Sequence, residues 1–82
     1  MENNINYNSL ISKLKTLKES KGVSDYKIAQ DSGLQRSTIK RIFDLETESK
    51  AGNLFEILRV MGINFCLMDE NNEILWRSEN KN

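Results

Sequence analysis

No proline and no histidine occur among the 82 residues, cysteine and tryptophan occur once each, and aromatic residues make up only 7%. Without histidine the chain lacks the usual imidazole ligand for zinc and the usual general base. The single cysteine, Cys66, cannot form an internal disulfide, which excludes a secreted disulfide scaffold; it reads as a small apolar residue. No apolar run approaches the roughly 20 residues of a membrane span, so no membrane partner is expected. Residues 1–8 are polar and asparagine-rich with no positive stretch, and are read as a flexible N-terminus of a cytoplasmic protein. Glycine-rich phosphate loops and paired carboxylates are missing too, so no catalytic residue, metal or cofactor is expected, and an enzyme is the class least supported. A chain this short folds as one domain and buries only about 60% of its unfolded surface, which leaves room for stabilisation by a partner copy.

Net charge is the last absence: twelve basic residues balance twelve acidic ones. A neutral total argues against nucleic acid, because affinity for phosphate needs a basic surface. The total hides a division. Residues 1–41 hold eight basic residues against four acidic ones, a net +4, and residues 42–82 hold four against eight, a net −4. Such a split marks one face for an acidic partner.

Hydrophobic spacing supplies the organisation. Leu10, Ile11, Leu14 and Leu17 make an apolar stripe on a helix over about residues 9–20, with Ser9 as the expected N-cap and Gly22 as its stop. Ser24 opens a helix of about two turns that carries Ile28 and Ala29 and ends at Gly33. Leu34 and Gln35 lead into a third helix with Ile39, Ile42 and Phe43 on one side and Arg36, Ser37, Lys40 and Arg41 on the other. A loop is expected over residues 45–52, with residues 49–53 leading into a fourth helix striped by Leu54, Ile57, Leu58 and Met61 and ended by Gly62. The period then changes: residues 65–68 and 73–76 read as two strands joined by a polar turn in which Asn71 and Asn72 tolerate left-handed backbone. Alternation places Phe65 with Leu67 on one face and Cys66 with Met68 on the other. The predicted fold is mainly α, four to five short helices with a C-terminal β-hairpin over residues 63–77 and a polar tail over 78–82.

The most informative stretch is Ser24 to Ile42. A small residue (Ala29), a glycine four later (Gly33) and an aliphatic six after that (Ile39) are what a sharp turn between two closely packed helices needs, because the glycine can take positive φ and the small side chain permits close approach. Ser-Asp-Tyr-Lys-Ile-Ala-Gln-Asp-Ser-Gly-Leu-Gln-Arg-Ser-Thr-Ile-Lys-Arg-Ile resembles the helix-turn-helix of lambda-repressor-like, or Xre-type, transcriptional regulators. The likeness extends over residues 10–62, which makes 9–62 the expected DNA-binding domain. Asp25 stands where such regulators often carry glutamine, and Leu45 where they carry glycine.

The resemblance implies a repressor-like function on operator DNA, with the third helix in the major groove and the second crossing the backbone. Gln35, Arg36, Ser37 and Arg41 are then the base-contacting residues, and Ser24, Lys27, Thr38 and Lys40 the phosphate-contacting ones. The chemistry suits those roles: arginine pairs with guanine O6 and N7, and glutamine with adenine. Two-fold operators imply a homodimer, for which Phe65, Leu67, Ile74 and Trp76 of the hairpin are the expected interface. Antitoxins of the HipB or HigA kind are similar in layout, so the alternative reading is an antitoxin that holds promoter DNA with its basic half and a toxin with its acidic half. A protein-interaction module without DNA binding is the further alternative.

Overall fold

The computed structural model describes residues 6–79: four helices followed by a two-stranded antiparallel hairpin. The helices are α1 (Tyr7–Lys21), α2 (Asp25–Ser32), α3 (Arg36–Phe43) and α4 (Ala51–Met61), and the strands are β1 (Cys66–Met68) and β2 (Ile74–Arg77). No helix among the described residues is long and apolar enough to cross a membrane.

Each helix contributes its apolar stripe to one core. Ile11 and Leu14 come from α1, Ile28 from α2, Ile39, Ile42 and Phe43 from α3, and Ile57, Leu58 and Met61 from α4, all buried. The remaining stripe residues Leu10, Leu17 and Leu54, together with Ala29 and Leu34, pack around that cluster while half-buried. The core is dominated by isoleucine, whose branched side chain loses little freedom on packing and makes the arrangement specific.

Helix ends follow the expected chemistry with two shifts. Asn6, rather than Ser9, caps α1: its side-chain oxygen accepts from the Ser9 N–H at 2.8 Å, so the helix starts before the apolar stripe does. Asn6, Tyr7 and Asn8 therefore belong to the cap and first turn of α1, and the rest of the expected flexible N-terminus, residues 1–5, lies outside the described residues. The Tyr7 hydroxyl explains the early start, since it accepts the Ser49 N–H at 2.8 Å and ties α1 to the segment entering α4. The fourth helix begins at Ala51, so Gly52 and Asn53, expected in its lead-in, lie inside it. Ser24 caps α2 as predicted, accepting from the Lys27 N–H at 3.0 Å.

The end of α3 is unusual. Leu45 takes a left-handed φ of 61°, and its N–H donates to Ile42 while the Glu46 N–H donates to Arg41. This paired-bond ending normally has glycine at the left-handed position. Leucine there is strained yet serves the same purpose.

The hairpin pairs Cys66 with Arg77, Leu67 with Trp76 and Met68 with Ile74, leaving Leu75 as a bulge. Asp69 builds the turn by accepting from the N–H groups of Asn71 and Glu73, and Asn72 takes φ 64° as expected of asparagine. Ser78, expected in the tail, instead extends the ladder: its N–H donates to Phe65 and its hydroxyl accepts from the Phe65 N–H. Residues 80–82 lie outside the described residues.

Candidate nucleic-acid interface

Gly33 sets the geometry of the site. It ends α2 with φ 80°, donating its N–H to Ala29 at 3.0 Å, and the chain needs only Leu34 and Gln35 before α3 begins. A residue with a Cβ resists this left-handed turn. Beyond it, α3 is strongly divided: Ile39, Ile42 and Phe43 are buried, whereas Arg36, Ser37, Lys40 and Arg41 are exposed and Thr38 is half-buried at the margin. Gln35 precedes the helix in extended backbone, and its side chain makes no capping bond, so it stays free beside the first open N–H groups of α3.

Ion pairing distinguishes the cations of this face. Lys40 donates to Asp44 at 2.7 Å, with Lys15 also 3.9 Å from that carboxylate. The hydrogen bond from Lys40 holds the Asp44 carboxyl below its usual range and in turn raises Lys40. Lys27 pairs with Asp31 at 2.9 Å one turn along α2. Both lysines expected on phosphate are thus already partnered, and must exchange a carboxylate for a phosphate. Arg36 and Arg41 are held by no carboxylate among the described residues. Among the described residues nothing takes their donors.

Asp25 neither caps α2 nor stands as a lone acid in front of a phosphate. It receives the Lys18 ammonium from α1 at 2.9 Å in a half-buried pair, and the same ammonium lies 5.2 Å from the centre of the Phe43 ring. One lysine therefore fastens α1 to both α2 and α3, and the negative charge of Asp25 is compensated inside the fold. Ser24 spends one oxygen lone pair as the cap and retains its O–H.

The structure also brings in a residue that sequence reading passed over. Tyr26, second in α2 and 58% exposed, places its ring 5.8 Å from the Arg36 guanidinium carbon. The signal in the sequence was a large aromatic on the polar side of a two-turn helix, with no apolar stripe to absorb it.

The expected dimer residues do not share one face. Leu67 and Trp76 oppose each other, and Phe55 of α4 meets both Trp76 and Phe65 edge-on at 6.3 and 5.8 Å. Ile74 sits opposite Met68 on the next rung, so the bulge at Leu75 moves it off the Leu67–Trp76 face to which simple alternation would assign it. Every strand residue is exposed, Trp76 by 48% despite its contact with Phe55. Comparison with protein-family models, with curated proteins and with solved structures finds no match to this chain.

Proposed function

We propose that this chain is a sequence-specific DNA-binding regulator of the lambda-repressor-like kind, working in the cytoplasm as a homodimer on operator DNA. The observation that carries the reading is the division of α3. Its inner side is fixed by Ile39, Ile42 and Phe43, and its outer side offers Arg36, Ser37, Lys40 and Arg41 with no acid among them. An αα-hairpin built only to pack has no need of that outer side. In this reading Gln35, Arg36, Ser37 and Arg41 read bases, while Ser24, Lys27, Thr38 and Lys40 hold the backbone.

The exposed hairpin supports the dimer, since a two-stranded sheet is marginal in water unless something covers it. A two-fold dimer would set one copy on each of two half-sites about 34 Å apart. A basic protein partner is the second reading, favoured by Glu46, Glu48, Glu70 and Glu73, which carry no ion pair among the described residues. Co-purification of a basic protein with the full chain supports it.

The DNA reading is tested by contrast between two residues. Arg36→Ala should cost about 1–3 kcal/mol on a duplex selected for binding and much less on random duplex. Lys27→Ala should weaken both alike, by less than about 1 kcal/mol because Lys27 gives up Asp31 to reach phosphate. Equal losses from Arg36→Ala on the two duplexes contradict base reading.

A further inference from the structure

Tyr26 is an exposed aromatic that the core does not explain. At 58% it is more exposed than Phe55 or Trp76, and it is not among the residues packed on the buried cluster. Its neighbour across the turn is Arg36, the first residue of α3, at 5.8 Å from ring centre to guanidinium carbon. The carboxylates of α2, the helix that carries Tyr26, are engaged elsewhere: Asp25 with Lys18 and Asp31 with Lys27. A ring, not an acid, therefore holds this arginine.

The difference matters chemically. A carboxylate would occupy two of the five guanidinium N–H groups in a forked pair and so compete with guanine, which also needs a fork of two. An aromatic face attracts the cation through its quadrupole and takes no N–H. The side chain is restrained in direction, with its donors unspent, so less rotamer freedom remains to be lost on binding. Arg41 has no such holder: no ring and no carboxylate among the described residues restrains it.

We propose that Tyr26 is the positioning residue for Arg36 and sets the discrimination at the base pair that Arg36 reads; this rests on the DNA-binding reading above. Arg41 is the internal control, because its base position should not depend on Tyr26.

The test compares wild type, Tyr26→Ala, Tyr26→Phe, Arg36→Ala and the Tyr26→Ala/Arg36→Ala double variant by selection from random duplex and by affinity for the selected site. Tyr26→Ala should lose about 2- to 5-fold on that site and nothing on random duplex. It should flatten preference at the position that Arg36→Ala also flattens, and add no loss in the Arg36→Ala background. Tyr26→Phe, which keeps the ring, should behave as wild type. A Tyr26→Ala profile identical to wild type, or a loss that simply adds to that of Arg36→Ala, overturns the positioning role and leaves the DNA reading standing. A wild-type chain that selects no sequence overturns both. The free protein gives an independent readout: the Arg36 side-chain protons should show a ring-current shift in wild type and Tyr26→Phe that is gone in Tyr26→Ala. Random-coil shifts for Arg36 in wild type refute the contact without any DNA.

Discussion

Replacing Gly33 by alanine should destabilise the domain, and the same replacement at Gly52 should stabilise it. Gly33 has φ 80°, and a Cβ built there meets nothing within 4 Å. The cost is therefore conformational alone, about 1–2 kcal/mol for forcing an L-residue into left-handed backbone. Gly52 lies inside α4 with no positive φ, and its Cβ would also meet open space. There alanine gains helix propensity and restricts the unfolded chain, worth about 0.5–1 kcal/mol. In a domain of this size each kcal/mol moves the melting midpoint by about 4–8 °C, so the two variants should bracket wild type by several degrees on either side. Circular dichroism melts at one fixed protomer concentration measure this, since the proposed dimer would tie stability to concentration. A Gly33→Ala variant that melts at or above wild type refutes the claim that this turn demands a left-handed residue.

Two further outcomes follow from the pairings and the exposed sheet. The Asp44 carboxyl, depressed chiefly by its hydrogen bond from Lys40, should titrate below the ordinary aspartate value of about 3.9 when followed by NMR, and Lys40→Met should move it back up. Because the folded value is the lower one, the pair's contribution to stability is complete above the ordinary aspartate range and is lost as pH falls through the depressed value; an unmoved titration in Lys40→Met shows that the pair does not form in solution. Trp76→Ala should lower the mass-average species seen in sedimentation from dimer toward monomer, and an unchanged dimer places the interface away from the hairpin.

What could be read from the chain alone was what local spacing dictates. The stripes Leu10 to Leu17, Ile39 to Phe43 and Leu54 to Met61 all face the core, and Gly22, Gly33 and Gly62 all end helices with positive φ. Long-range contacts were not legible. Asn6 and Tyr7 start α1 ahead of its stripe because the Tyr7 hydroxyl finds a partner 42 residues away. Gly52 and Asn53 look like helix breakers and are nonetheless helical. The bulge at Leu75 reverses the face of Ile74, and alternation carries no sign of it.

The candidate site divides in the same way. Residue types on the outer side of α3 follow from its period, and the Lys27–Asp31 and Lys40–Asp44 pairs from their four-residue spacing. The Lys18–Asp25 pair and the meeting of Tyr26 with Arg36 depend on how α1, α2 and α3 approach one another. Only the folded chain reveals them. The balanced total charge likewise conceals that the acids near the proposed reading face are largely matched with lysines, while its two arginines are matched with no acid among the described residues.

The central claim, that α3 with its basic outer side engages duplex DNA, meets its most direct measurement in the salt dependence of binding to a duplex selected from random sequence. Each phosphate neutralised should contribute about −0.9 to the slope of log affinity against log salt, so a steep negative slope is expected, together with a preference for the selected sequence that persists as salt rises. A flat slope, or no binding to any duplex, contradicts it.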